Sequence, residues 1–248
     1  MRLSQSASIL ALAIASATVA TQAQAEENKG KGNVTAISEW NYDTLYEEGG
    51  MTAESLMDTE VFGADDEEIG SVENILLNDK NEIVAVIAQV GGLWDIGDTH
   101  VLVPWEEVDV NEDGVSIPVH EDNADDYGLF DEEYVTKTDL SYISQIDDDA
   151  NTGTRIWKLT DLLDDYASVG EGNGYGYVDN VLFKEDGEIQ AVVIEADSSY
   201  GGEPYAYPFH GFDTGWDPSY STYTLPYDEA DLDDATAFDY DEYDGLWD

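Results

Sequence analysis

Two stretches of the chain carry the same order of apolar and polar positions. Residues 69–88 read IGSVENILLNDKNEIVAVIA and residues 175–194 read YGYVDNVLFKEDGEIQAVVI. At an offset of 106 positions, Gly70, Val72, Asn74, Leu76, Glu82, Ile83, Ala85 and Val86 recur as Gly176, Val178, Asn180, Leu182, Glu188, Ile189, Ala191 and Val192. The match resumes two positions shorter, with Val103-Pro104-Trp105 over Tyr207-Pro208-Phe209. Downstream, Ile117-Pro118-Val119 lies over Leu225-Pro226-Tyr227, and Phe130-Asp131 over Phe238-Asp239. A pattern repeated at fixed spacing is one structural unit used twice. The units are expected at 51–135 and 155–248.

Within each unit the apolar runs are short and rich in Val, Ile and aromatics, which predicts strands. Val72–Leu77 is one strand, 78–81 a turn and Glu82–Val90 the return strand. In the second copy Glu185-Asp186-Gly187 supplies the turn, because Asp-Gly tolerates positive φ. Gly70 and Gly176 come just before the long strand, where a bulge or sharp bend fits. Val101–Val103 and Val115–Val119 are further strands. Met51–Met57 and Lys158–Leu163 read as short helical or extended lead-ins. Short strands at regular spacing point to a small antiparallel barrel or sandwich.

The flanks differ from the units. Arg2, the apolar run Ile9–Ala15 and the small-x-small site Ala23-Gln24-Ala25 have the order of a secretory signal peptide over residues 1–25. The apolar run is far short of the roughly 20 residues of a membrane span. Export to a bacterial periplasm, as a soluble product without membrane insertion, is the expectation. Residues 26–50 form a polar leader with an aromatic cluster at Trp40, Tyr42 and Tyr46. Residues 136–154 form an acidic linker.

Charge then narrows the function. The 248 residues carry 57 Asp and Glu against 8 Lys and Arg, a formal net charge of -49, and no Cys. Disulfides and thiolate metal sites are excluded. A basic face for nucleic acid or anionic lipid is excluded by the shortage of cations. A hydrophobic content of 42% is too high for a disordered acidic tail. The acids are spread along the chain, which favours a salt-adapted, halophilic surface over a single cation or cationic-partner site. With so many acids, a close carboxylate pair carries little catalytic meaning.

A longer run then becomes informative. It starts with Leu56-Met57-Asp58-Thr59-Glu60-Val61-Phe62-Gly63 and continues with Glu68-Ile69-Gly70-Ser71-Val72-Glu73-Asn74. The strand Ile83–Val90, then Gly91-Gly92-Leu93-Trp94-Asp95-Ile96-Gly97-Asp98-Thr99-His100 and Val103-Pro104-Trp105 follow. This run resembles the PRC-barrel family, the small β-barrel named after the cytoplasmic part of the photosynthetic reaction centre H subunit. The family also occurs in a ribosome-maturation factor. The second unit is similar through Tyr175-Gly176-Tyr177-Val178-Asp179-Asn180, Ala206-Tyr207-Pro208-Phe209 and Leu225-Pro226-Tyr227-Asp228. Exported Gram-negative, alphaproteobacterial-type members are the nearest likeness. The resemblance implies a mainly β fold of two tandem PRC-type barrels with short helical or irregular flanks. It implies binding and assembly rather than catalysis, with no catalytic residues and no organic cofactor to carry over.

Two sets of residues remain as candidate sites. Asp109, Asn111 and Asp113, followed by Gly114, match the first half of a calcium loop, whose alternate oxygens would surround a hard cation. The twelfth position holds His120 instead of the bidentate Glu, and a plain β-turn explains the same residues. His100, His120 and His210 lack metal-pair spacing. No nucleophile elbow or phosphate-cradling loop occurs. Aromatics crowd between Tyr200 and Tyr227. Trp94, Trp105, Tyr207, Phe209 and Trp216 are therefore candidates for a recognition face, with barrel packing as the competing role. The leading expectation is a non-catalytic binding module for a protein partner. A Ca²⁺-responsive envelope protein comes second, and a hydrolase using a carboxylate pair third.

Overall fold

The computed structural model describes residues 34–91, 99–129, 156–170, 172–211, 216, 220–243 and 245–247. The signal-like segment 1–25, the linker 136–154 and Trp94 lie outside the described residues. The described residues from Thr35 onward belong to one compact unit.

The strands in chain order are β1 (Met51–Thr52), β2 (Glu60–Phe62), β3 (Glu68–Asn78), β4 (Ile83–Val90), β5 (Thr99–Pro104), β6 (Asp109–Asn111) and β7 (Gly114–Ser116). They continue with β8 (Gly128–Leu129), β9 (Ile156–Lys158), β10 (Tyr166–Val169), β11 (Asn173–Phe183), β12 (Ile189–Ala196), β13 (Pro204–Pro208) and β14 (Thr222–Thr224). Two short helices, α1 (Tyr42–Glu48) and α2 (Ala53–Asp58), precede β2. The fold is mainly β, with two curled sheets and few helices.

The two sheets repeat each other. The first runs β6-β7-β2-β3-β4-β5-β8, and the second β13-β12-β11-β10-β14. Read from the other edge, β14-β10-β11-β12-β13 matches β7-β2-β3-β4-β5 strand for strand. Pairing is antiparallel except between β2 and β7 and between β10 and β14, which are parallel. The long strands slip register by one residue at Ile69 and at Tyr175, next to the repeated glycines. Those glycines also permit close crossing. A Cβ on Gly70 would lie 1.8 Å from the Gln89 carbonyl oxygen, and on Gly176 2.0 Å from that of Glu195.

Each lead-in strand joins the other copy's sheet. Met51 and Thr52 of β1 pair with Phe183 and Leu182 of β11. Trp157 and Lys158 of β9 pair with Leu77 and Leu76 of β3. These are the same contacts under the 106-residue offset, so the two copies exchange strands reciprocally about a pseudo-twofold axis. The repeated asparagines follow the same symmetry. The Asn74 side chain accepts from Ile75 N at 2.9 Å and donates to Thr160 Oγ1 at 2.8 Å, in the second lead-in. The Asn180 side chain accepts from Val181 N at 2.9 Å and from Glu54 N at 3.3 Å, in the first lead-in.

The hairpin turns meet on the axis. Glu82 and Glu188 form an isolated antiparallel bridge. It is flanked by hydrogen bonds from Ile83 N to Gly187 O at 2.9 Å and from Ile189 N to Asn81 O at 2.8 Å. Asn81 and Gly187 hold the equivalent turn position, both at positive φ. The two facing carboxylates are each held within their own hairpin. Glu82 accepts from Asn78 Nδ2 at 3.2 Å, and Glu188 pairs with Lys184 at 2.6 Å.

The core explains the hydrophobic pattern. Ile75–Asn78 and Asn180–Phe183 are buried residue after residue, because both faces of each strand are covered. One face packs the barrel interior and the other packs outward. Leu182, Ala191, Val193 and Ala206 form an outer cluster with Leu45, Phe238 and Tyr243, against which Trp40, Tyr42, Tyr46 and Tyr240 pack. Their counterparts Leu76, Ala85, Ile87 and Leu102 cluster with Val84 and Ile156. The leader thus contributes a helix to the second sheet's cover, and its aromatic cluster is the covering face. Among the described residues no helix is long and apolar enough to cross a membrane.

Candidate functional site

The calcium-like segment folds as a hairpin. Asp109 pairs with Ser116, Val110 with Val115 and Asn111 with Gly114. The Asn111 Oδ1 accepts from the Asp113 backbone N at 2.9 Å, so its oxygen is spent on the turn. The Asn111 carbonyl accepts from Trp247 Nε1 at 2.9 Å. Asp109 and Asn111 lie two apart on an extended strand, where a cation-binding loop would curl. Among the described residues no group of three or more His, Asp or Glu side chains is placed to hold a metal ion.

The candidate aromatics separate by burial. Tyr207, Phe209 and Trp216 are buried inside the second copy. A ring enclosed on all sides offers no area to a partner, and packing accounts for all three. Phe209 stacks on Tyr223 with centroids 5.9 Å apart, and Trp216 meets Phe209 edge-on at 6.2 Å. Trp105 is half-buried, and its Nε1 donates to the Asp186 carbonyl at 3.1 Å. It braces the first copy against the second copy's turn. A Cβ on Gly187 would come within 2.7 Å of that indole nitrogen, which is why glycine suits this turn.

The interior of the second copy is polar at its centre. Tyr175 and Tyr207 share a hydrogen bond of 2.6 Å between their hydroxyls. Burial pushes the Tyr175 phenol up to about 12 and raises that of Tyr207 further. Tyr227 donates to the Thr35 carbonyl at 2.8 Å, which ties the leader to the barrel. Asp165 is buried, and burial pushes its carboxyl up to about 6, against the opposing effect of a 3.2 Å hydrogen bond from Trp216 Nε1.

The outer face of the second sheet is different. Thr222, Tyr166, Tyr177 and Glu195 are successive cross-strand partners on β14, β10, β11 and β12. Tyr166 is 37% exposed and Tyr177 52%. Their rings meet edge to face at 5.3 Å and 71°. Gly174 makes room for this arrangement, since a Cβ there would lie 1.7 Å from the Tyr166 hydroxyl. Tyr220, 68% exposed, precedes β14. Tyr200 donates to Glu229 Oε1 at 3.3 Å, and Asn173 Nδ2 binds the same oxygen at 3.2 Å.

The first copy holds the same row without rings. Glu60 pairs with Ser71 and Ser71 with Gln89, at the register positions of Tyr166, Tyr177 and Glu195. The fold therefore does not require tyrosine there. Aromatic density along the sequence points to 200–227, whereas Tyr166 and Tyr177 sit outside that cluster. The signal was present in the aligned copies, where Tyr177 stands over Ser71 and Tyr166 over Glu60.

Comparison with known proteins gives one family. Residues 48–124 match the family model described as the PRC-barrel domain. That span covers the first copy from the residues just before β1 to the 3-10 turn after β7. A search of curated proteins finds no match to the chain.

Proposed function

With residues 48–124 being a PRC-barrel domain, a non-catalytic β-barrel module, we propose that this protein is an exported, salt-adapted binding or assembly module for a protein partner, and not an enzyme. One observation carries the reading. The second copy keeps the strand order and register of the first, yet presents Tyr166 and Tyr177 to solvent where the first presents Glu60 and Ser71. A duplicated scaffold whose copies differ at exposed rings, with Tyr207, Phe209 and Trp216 kept for the interior, is built for contact. Tyrosine supplies large contact area with a polar tip and little conformational entropy to lose. The abundant carboxylates fit a hydrated surface in salt, and the signal-like segment 1–25 supports a periplasmic location.

Photo-crosslinking in cells that make the protein tests this. A photoreactive residue is placed at Tyr220 and, separately, at Glu73 of the first copy. A discrete protein adduct formed from position 220 and absent from position 73 is the expected result. Absence of any adduct from either position removes the binding reading. Hydrolysis of ester, glycoside or peptide model substrates that tracks with the purified protein would replace it with the enzymatic one.

A further inference from the structure

We propose that the Tyr166–Tyr177 row is a docking strip for a cationic polypeptide segment, one that lays Arg or Lys side chains over the two rings. This rests on the reading of the protein as a binding module and names the surface and the partner's chemistry. Two observations and one physical argument converge on it.

First, the rings are placed for it. Two tyrosines that meet edge to face on adjacent strands stay 37% and 52% exposed, so ring area is open to a chain laid across the strands. Gly174 is the structural concession that lets the Tyr166 ring lie down; the first copy has Glu68 at that position. Second, the charge around the strip is of one sign. Glu195 continues the row beyond Tyr177, and Glu229 sits at its rim, held by Tyr200 and Asn173. Among the described residues the cationic side chains are Lys80, Lys158 and Lys184. Lys80 and Lys184 belong to the turns on the pseudo-twofold axis, at the far end of β11 from Tyr177, and Lys158 lies on β9 in the first sheet. None of these three described cations is positioned to occupy the rings. Third, carboxylates alone would not suit a protein adapted to salt. At about 1 M salt the Debye length falls to roughly 3 Å, so long-range attraction to a basic partner vanishes. A contact made by ring faces against guanidinium is short-ranged and survives that screening.

The test exploits the first copy as a template. The double variant Y166E/Y177S installs the first copy's residues at the same register, so folding is preserved; the single variant Y177S serves as a milder control, and circular dichroism with melting checks both. The probe is an acetylated, amidated penta-arginine peptide, titrated at 0.15 M and 1 M NaCl while the tyrosine ring resonances are followed by NMR. The wild type is expected to bind at both salt concentrations, with the Tyr166 and Tyr177 resonances shifting most. Y166E/Y177S adds a negative charge, so attraction by charge alone would tighten binding. We expect instead binding about fivefold weaker at 1 M NaCl, and Y166F/Y177F close to wild type, because the ring faces remain.

Equal or tighter binding by Y166E/Y177S overturns the proposal in favour of diffuse electrostatic attraction. So does a neutral cello-oligosaccharide that shifts the same two rings while the peptide does not, which would make the strip a sugar platform. The two levels of failure separate cleanly. If the peptide result is negative while the adduct from position 220 persists in Y166E/Y177S cells, the strip is wrong and the binding module stands. If no adduct forms in the wild type, the module reading itself fails.

Discussion

The two copies of the barrel share a backbone and differ in what fills and covers it. At equivalent interior positions the first copy has Ile69, Val103, Val115 and Val119, and the second has Tyr175, Tyr207, Tyr223 and Tyr227; all eight are buried. On the outer face the first has Glu60 and Ser71, and the second Tyr166 and Tyr177. Shared features are those the backbone demands: the glycines at strand crossings, the bulge asparagines and the turns on the axis. Divergent features are those the backbone leaves open. Comparing copies within one chain therefore sorts structural residues from elective ones without any second protein.

The sharpest way to break the comparison is to exchange interiors. Tyr207→Val puts the first copy's residue into the second. It empties the volume of a ring and strands the Tyr175 hydroxyl, at a cost of about 4 kcal/mol in urea unfolding. A cost below about 1 kcal/mol would mean that the interiors are interchangeable after all. Gly70→Ala and Gly176→Ala come next. Each Cβ would meet a backbone carbonyl at 2.0 Å or less, so each costs about 3 kcal/mol, and the two values agree if the copies are equivalent. A large disparity would show that only one crossing is tight.

Asp165→Asn sharpens the comparison in the opposite direction. The first copy has Thr59 at this position and buries no carboxyl there. The folded state raises the Asp165 pKa from 3.8 to about 6, so the native protein holds this proton more tightly than the unfolded chain. Stability from this group is therefore lost as pH rises from about 4 to about 6, and the deficit is complete above that window. The variant keeps an oxygen to accept from Trp216 and has no charge to bury. It should be more stable than wild type by about 2 kcal/mol at pH 8, and the gain should vanish below about pH 4. A gain that is constant across this range would contradict the assignment. Asn74→Ala and Asn180→Ala carry the smallest effect, about 1–2 kcal/mol each, from losing the bulge hydrogen bonds and the tie to the opposite lead-in. The buried Asn180 stands at the upper end.

Much of the fold was legible in the sequence because the hairpins β3–β4 and β11–β12 are long enough to show period and turn chemistry together. Asp186-Gly187 marked its turn directly. The lead-in strands were not legible as partners. Two or three extended residues carry no periodicity, and their choice of sheet is made by the symmetry of the folded pair. The parallel closures β2–β7 and β10–β14 were likewise hidden, since pairing direction depends on how distant strands meet. The site was legible only in part. Aromatic density drew attention to 200–227, where Tyr207, Phe209 and Trp216 prove to be packing, whereas the exposed rings sit singly among polar neighbours. Asp109, Asn111 and Asp113 match a cation loop in one dimension, but the strand pairing of β6 with β7 stretches them out.

The account depends on the two copies meeting at one axis, and the absence of native cysteine makes this directly measurable. Glu82 and Glu188 form the non-hydrogen-bonded type of antiparallel pair, in which Cα atoms lie about 4.5 Å apart, within disulfide range. The double variant E82C/E188C, oxidised at low concentration and read by intact mass and non-reducing electrophoresis, is predicted to form one intramolecular disulfide with unchanged circular dichroism. Persistent free thiols, or cross-linking only between chains, would contradict the pairing and with it the reciprocal strand exchange.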